Sequence, residues 1–514
     1  MSTTTYKCEV LAEHIEGAID IFSNFFVSPL FTRSGTGREV NAVDSENSKN
    51  MTNDARRRLQ IMKALADPSH HYSKFSTGNA STLPAAELEK ESTESKGCES
   101  PDRAAGKSKA EMVRDALLAF HKRHYRPKNM TVAIVGPQDL DALEELVVPR
   151  FSGIKDQWAL KTDEEITATE KLIDSAAKDA PDVVFGSPTI YKPAFRPELQ
   201  GGQWPILLTN LPLQSVRKLY LFFPLPPTIH LEDRSPYQLI SHLLGHEGKG
   251  SVFSILQDEN LADSLSAGPR LSERDQSLLQ ISVSLTEKGE AQWENVVKIV
   301  FEYCRLLQRT IRSAKGVSDG SQEALQKLET IWSDKCALAS LRFHQTSPGQ
   351  AYAFAPALAA SVMKFGSEKC ISSGSLLEDP GESLDLNLIS DFVELLTPDN
   401  CIIERSSQAA WNDIEKQSNN DEGIFEFNPM YGRKTEPWYG IQYHLSRIEP
   451  STVSKWTSSS EYADRIYFPE QNSYIPRNLE LCDDLPPEAK LGPRIGKELE
   501  PPALTVNNHH GMSS

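Results

Sequence analysis

Two acidic side chains and one paired-histidine segment are the first places to look for chemistry. In EVNAVDSENSKNMTNDARRR, Glu39 and Glu46 stand seven apart. On a helix that spacing puts them on one face, about 10 Å from each other at ~1.5 Å rise per residue. Val43 lies between them, and Asn50 and Asn53 continue the stripe. Turned inward, such carboxylates could hold a divalent cation or do acid–base work; turned outward, they are an ordinary solvated face. Spacing alone does not choose. In HLLGHEGKGS, His242 and His246 are four apart, as zinc ligands are in a helical H-E-x-x-H, and Glu247 is adjacent. No glutamate stands between them, however, and Gly245 and Gly248 should end the helix. Lys249 is followed by Gly250 and not by Ser or Thr, so a phosphate-cradling Walker motif fails.

The other candidates are weaker. His70 and His71 sit beside Pro68 in a loop, and His121 and His124 lie among Lys122, Arg123 and Arg126, which reads as a solvated basic face. His509 and His510 belong to the tail. No G-x-S-x-G elbow occurs. The seven cysteines (Cys8, Cys98, Cys304, Cys336, Cys370, Cys401, Cys482) never form C-x-x-C, which fits reduced thiols better than a disulfide framework or a cysteine metal site.

The elements that must carry these residues can be read from periodicity. An extended stretch, Thr3 to Leu11, precedes an amphipathic helix marked by Ile15, Ala18, Ile19, Phe22, Phe25 and Phe26 and ended by Pro29. One long polar helix is expected from about Arg38 to Ala64. Residues 79–108 lack periodicity and read as a loop insertion. A helix around Met112–Phe120, a buried strand at Met130–Val135 and a helix over Leu140–Val147 follow, then an acidic linker at 153–204. A second domain, 205–480, starts with the strand-like ILLTNLP and LYLFFPLPP. Helices are expected around Pro236–His246, Ser251–Glu259, Gln292–Arg312 and Gln322–Arg342, with a strand at Leu278–Leu285. LLTPDNCIIERSS, with Pro398, echoes HYRPKNMTVAIVG, with Pro127, and suggests two copies of one α+β unit. Residues 481–514 lack periodicity and read as a linker or disordered tail.

Composition sets the outer bounds. The 514 residues carry 54 Lys+Arg against 71 Asp+Glu, a net charge of −17, with 39% hydrophobic and 24% charged residues. Those values describe a globular chain of two to four domains at roughly 100–200 residues each. The acidic excess argues against a phosphate-backbone partner, whose binding rests on Lys and Arg. No apolar run approaches the ~20 residues of a membrane span. The opening MSTTTYKCEV has no secretory signal pattern, so a cytoplasmic setting is expected.

The stretch HIEGAIDIFSNFFVSPLFTRSGTGREVNAVDSENSKNMTNDARRRLQ resembles the pitrilysin/insulysin family of zinc metallopeptidases, in its insulin-degrading and a-factor-processing branch. SHHYSKFSTGN, HLLGHEGKGSVFSIL, LTPDN and EPWYGIQY match that branch in order, so the resemblance runs from about residue 5 to about residue 500. It implies an α+β fold of two homologous domains with helices packed on mainly antiparallel sheets. The first, 1–152, would be the zinc-side domain truncated at its start, and the second would carry a substrate exosite. It implies Glu46 as third zinc ligand and Glu39 as an outer-shell partner. It also implies an exosite of His242, Gly245, Glu247, Leu265, Ser266 and Ala267, where a peptide pairs with an exposed strand edge. Where members often show Leu-Val-Gly-Gly this chain has Leu-Ser-Ala-Gly, and Ala267 is expected to crowd the backbone approach.

The chain departs from the family at its metal. The inverted H-x-x-E-H motif lies roughly 75 residues before the third ligand in the family, whereas 45 residues precede Glu46 here and no H-x-x-E-H occurs anywhere. The expectation is therefore a relative of zinc metalloendopeptidases acting on medium-sized peptides that is inactive as it stands and binds no zinc alone. The alternative is a noncatalytic peptide-binding protein. Expected partners are peptide substrates and a C-terminal half or another family copy, with no nucleic acid and no membrane.

Overall fold

Every position of Lys218–Leu225 but the first is buried, so this strand must be covered on both faces. In the computed structural model, which describes residues 3–82, 109–156, 193–196 and 204–476 apart from breaks at 229–230, 232–235, 274, 317–319, 348, 374, 378–383, 421–430 and 459, it is. The helices of the first part are α1 (Ile15–Val27), α2 (Arg33–Met51), α3 (Asp54–Leu65), α4 (Lys109–His124) and α5 (Leu140–Phe151). Then come β1 (Ile206–Asn210), β2 (Lys218–Leu225), α6 (Pro236–Leu244), α7 (Val252–Asp258), β3 (Ala262–Ser272), β4 (Ser277–Leu285) and α8 (Glu287–Ala291). The chain continues through α9 (Trp293–Lys315), α10 (Ser321–Gln345), α11 (Ala351–Lys369), α12 (Leu386–Val393), β5 (Ile402–Ser406), α13 (Gln408–Asn420), β6 (Gly432–Thr435), β7 (Gln442–Arg447) and α14 (Pro450–Ser458). Residues 1–471 form one compact unit and 472–514 another. Among the described residues no helix is long and apolar enough to cross a membrane.

The sheet has seven strands in the order β3-β4-β2-β5-β1-β7-β6. Only β1 and β5 run parallel; every other neighbouring pair is antiparallel. The α+β class with a mainly antiparallel sheet is thus the observed one. Strand alternation sorts the core into two layers. Leu219, Leu221, Phe223 and Leu225 of β2 join Leu279, Ile281 and Val283 of β4 against α6, α7, α9, α10 and α12. Phe301 of α9 meets Phe223 edge to face at 6.1 Å. Tyr220 and Phe222 point the other way, with Ile206, Leu208 and Ile402, toward Ile61, Met62, Leu65 and Ala66 at the end of α3. The second sheet face is therefore covered by a helix from the start of the chain.

An ion pair sets how α3 lies there. Glu404 follows Ile402 by two positions on β5, so it faces α3, and it is fully buried. Its Oε2 lies 3.1 Å from Nε of Arg58, and its Oε1 accepts from Asn210 Nδ2 at 2.7 Å. The Arg58 guanidinium also stacks 3.6 Å over the Tyr220 ring. Burial pushes the Glu404 carboxyl upward, opposed by Arg58 and the Asn210 bond. Full burial of Ile61, Met62 and Leu65 stabilises by about 1.5–3 kcal/mol each. Apolar contact therefore holds α3 down, and the ion pair, whose attraction is largely offset by desolvation, fixes its register.

The structure corrects two expectations. The single helix from Arg38 to Ala64 is two helices, broken at Thr52–Asn53. Asn53 Oδ1 accepts from the Arg56 N–H at 3.1 Å and starts α3 as an N-cap. The break frees α3 to turn its apolar side onto the sheet. The strand expected at Met130–Val135 does not form, and Val132 and Val135 are exposed. A strand needs a ladder partner, and among the described residues the first part of the chain has none, so its sheet is not seen. The Pro-x-Asn echo does hold locally: Pro127–Asn129 and Pro398–Asn400 both form 3₁₀ turns, but only the second leads into a paired strand. Most of 79–108, most of 153–204 and all of 481–514 lie outside the described residues. Within the stretch expected as a linker, Ala194 and Phe195 are buried beside α3.

Replacing Arg58 by Met strands Glu404 without its cation. Urea unfolding of R58M is expected to show a loss of about 3–5 kcal/mol, with most of it recovered in R58M/E404L. A single variant within ~0.5 kcal/mol of the parent would mean the carboxylate needs no partner.

Candidate functional site

Among the described residues β3 is the outermost strand beyond β4, and one of its edges has no described strand beside it. Leu265, Ser266 and Ala267 pair with Val283, Ser282 and Ile281 of β4, and their other backbone edge is free of the ladder. Register shifts at Ala262/Ser264 and Pro269/Leu271 bound this regular stretch, and Pro269 has no N–H to offer. The usable edge is thus Ser264–Gly268. Leu265 is buried in the helix-side layer, Ala267 packs partly against it, and Ser266, one residue off, is exposed.

The end of α6 rests on this strand. A Cβ on Gly245 would come within 2.9 Å of Ser241 O in the last turn of α6, so the helix ends this way only with glycine, and the same atom would stand 3.4 Å from Ala267 N on β3. The same hypothetical atom lies 3.7 Å from Ala267 Cβ, an ordinary contact. The Ala267 methyl is therefore in reach of the helix end. Beyond it, Gly250 takes φ +80°, where a side chain would collide with the Tyr467 ring at 2.6 Å. Ser251 Oγ then accepts from Ser254 N at 3.1 Å and caps α7. HLLGHEGKGS is thus a helix end, a glycine turn and a helix start, set over an edge strand.

His242 is half-buried on α6, and its ring lies 5.8 Å from that of His246. Burial pushes its imidazole down from 6.5 to about 4, with Lys335 and His246 adding to the shift and Asp334 opposing it. His246 is lowered too, by burial against the pull of Glu247. Glu247 is exposed. Of the six residues expected at an exosite, Gly245 thus meets Ala267 on β3, and His242 pairs with His246 as a neutral-imidazole corner at the same helix end.

Glu39 and Glu46 do not join them. Both are exposed on α2, while Val40, Asn47 and Asn50 form its buried side. Asn50 thus leaves the glutamate stripe, and Asn53 is spent on the α3 cap. Among the described residues, no His, Cys, Asp or Glu group with metal-holding geometry includes Glu46. A lone exposed carboxylate does not fit a zinc centre, which needs three or four converging donors.

One cluster escaped the sequence reading. His70, buried to 1% exposure, places Nε2 2.9 Å from Asp275 Oδ2, and His71 Nδ1 lies 3.3 Å from the same oxygen. The rings stack at 4.3 Å. Burial works against the Asp275 carboxylate, yet His70 and His71 hold it below its ordinary range. Asp275 follows His71 by more than two hundred residues, and no spacing rule joins them.

Three family domains match the sequence: "Insulinase (Peptidase family M16)" over residues 1–69, "Peptidase M16 inactive domain" over 111–315, and "Middle or third domain of peptidase_M16" over 342–508. The chain is 28% identical over 480 residues to the protein named insulin-degrading enzyme-like 1, peroxisomal, of Arabidopsis thaliana, covering 93% of this chain and 40% of that protein. It is 26% identical to the a-factor-processing enzyme of Saccharomyces cerevisiae, covering 93% and 38%. The crystal structure of pitrilysin superposes with a TM-score of 0.66 at 21% identity, over 91% of this chain and 40% of that one, and so shares its fold. The chain spans about two fifths of the length of these relatives.

Because His242 is neutral in the folded state down to about 4 but titrates near 6.5 when unfolded, the unfolded state binds the extra proton between those values. Stability should therefore fall as pH drops from 6.5 toward 4. H242Q should flatten that limb, read as a smaller difference in urea midpoint between pH 7 and pH 4.5 than the parent shows. An equal difference in both proteins would remove His242 as the cause.

Proposed function

We propose, from the premise that the chain belongs to the pitrilysin/insulysin family of M16 peptidases, that it is a peptide-holding portion of a zinc metalloendopeptidase lineage acting on medium-sized peptides. The observation that carries this reading is the free edge of β3 over Ser264–Gly268, set beneath the Gly245 turn. An extended peptide laid along that edge gains main-chain hydrogen bonds, which tolerate varied sequence. His242, Gly245, Glu247, Leu265, Ser266 and Ala267 are the residues to which we assign the contact.

Cutting is a separate matter. Zinc is the metal of the family, and Glu46 is the position that matches its third ligand. With that one donor and no H-x-x-E-H in the sequence, we assign this chain no hydrolytic step of its own. The second reading, a noncatalytic peptide-binding relative, rests on the same edge and differs only in what accompanies the chain. A C-terminal half or another family copy as partner, and a cytoplasmic setting beside a relative named peroxisomal, belong to the proposal.

Strand addition is testable through the ligand's backbone. A fluorescent peptide of medium length is expected to bind, and N-methylation of alternate residues should weaken it at least about tenfold, or roughly 1.4 kcal/mol. Scrambling its side chains should change affinity far less. Undiminished binding of the N-methylated peptide would sink strand addition, and chelator-sensitive cleavage of a quenched peptide by the purified chain would overturn the assignment of no hydrolysis.

A further inference from the structure

The His70–His71–Asp275 cluster has a chemistry that peptide holding does not use. Asp275 sits in the connection between β3 and β4, where the Glu273 N–H bonds the Gln276 carbonyl at 2.9 Å and closes the hairpin. His70 and His71 sit at the start of the 3₁₀ turn His71–Ser73, just after α3. Nε2 of His70 is paired with Asp275 Oδ2 at 2.9 Å, whereas the buried Oδ1 of the same carboxylate has no hydrogen-bond partner. An unpaired buried polar atom is costly, and this one belongs to the carboxylate that both histidines face. One ligand atom from each of the three residues lies within 4.8 Å of the others.

From this donor set we propose that His70 Nε2, His71 Nδ1 and the Asp275 carboxylate form a binding site for a borderline divalent transition metal of the zinc class. Two imidazoles and one carboxylate suit zinc, cobalt or nickel and not calcium or magnesium, which demand oxygen. Ligand atoms around a tetrahedral zinc at ~2.0–2.1 Å stand on the order of 3.4 Å apart. The 2.9 Å and 3.3 Å separations therefore need to open by only a few tenths of an ångström. The fourth position falls to solvent on the side of His71, which is exposed. Among the described residues, the charges beside the cluster include half-buried Glu273 and Lys63, whose Nζ is turned to the carbonyls of Tyr72 and Lys74 at 3.1 and 2.8 Å.

Two contacts work against the metal and set the expected strength: the His70–Asp275 pair at 2.9 Å, which the ion would replace, and a bond on the far side of the ring. His70 Nδ1 accepts from the Tyr72 N–H at 3.0 Å, so the neutral ring carries its proton on Nε2. Binding requires that proton to move to Nδ1, which forfeits the Tyr72 bond. The two losses oppose the two imidazole–metal bonds and make the site weaker than a closed four-ligand centre. A bound ion would pin the turn after α3 to the β3–β4 hairpin whose outer strand is the free edge.

The test uses the full chain after chelator treatment, titrated with zinc by calorimetry and with cobalt by visible absorption. The expected result is one ion per chain, a cobalt spectrum of four- or five-coordinate N/O ligation, and a zinc-dependent rise in thermal midpoint. H71A and D275N should each lower affinity at least about tenfold, with metal-free midpoints near the parent's showing that the fold is kept. E46Q should leave both stoichiometry and affinity unchanged. No binding, binding undiminished in both H71A and D275N, or loss in E46Q alone would each overturn the assignment. None of these readouts involves a peptide, so the peptide-holding reading stands or falls separately.

Discussion

A single carboxylate inside the sheet organises this molecule. Glu404 stands on a central strand with no solvent to stabilise its charge. An unpaired buried ion of this kind is among the most destabilising features a protein can contain. Asn210 comes from the neighbouring strand β1, but the cation comes from Arg58, near the other end of the sequence. Meeting that demand requires α3 to lie across the sheet at one register, with Ile61, Met62 and Leu65 over Tyr220 and Phe222. The helix at the start of the chain is thus the second cover of a three-layer arrangement. The turn after it is carried to the β3–β4 hairpin, where His70 meets Asp275.

The opposite layer makes the open edge of the sheet at β3. Helices α6 and α9 bury their apolar sides on the strands β2 and β4, which leaves β3 as the rim. A rim strand is an aggregation hazard unless it is short, bulged or blocked. Here two register shifts and Pro269 confine the regular edge to a few residues. Gly245 lets the helix end settle on that stretch, and the half-buried histidines beside it stay uncharged near neutral pH. Rigidity on one side and an open ladder on the other suit a surface that adds one strand.

Much of this was legible in order along the chain. Apolar runs located β2 and β4, helical spacing located α9 and α10, and Pro-x-Asn marked two turns of the same geometry. The HLLGHEGKGS motif was correctly placed at a helix end. The failures share a cause. Met130–Val135 has the composition of a strand, yet composition supplies no ladder partner. The run from Arg38 to Ala64 looks continuously helical because the capping role of Asn53 is visible only once the chain turns there. His70 and His71 looked idle in a loop, because the Asp275 that gives them a chemistry sits on a distant hairpin.

The sequence by itself determined the local elements, the family resemblance through ordered motifs, and that no H-x-x-E-H occurs in these 514 residues. These follow from interactions between near neighbours, where side-chain period and turn residues act over a few positions. Only the tertiary structure decided which face α3 covers, that Arg58 meets Glu404, that β3 is the rim, and that two histidines share one aspartate. Those depend on contacts between residues a hundred or more positions apart. They are set by which packing buries the most apolar surface while leaving the fewest charges alone, a property of the whole folded unit and not of any window along the chain.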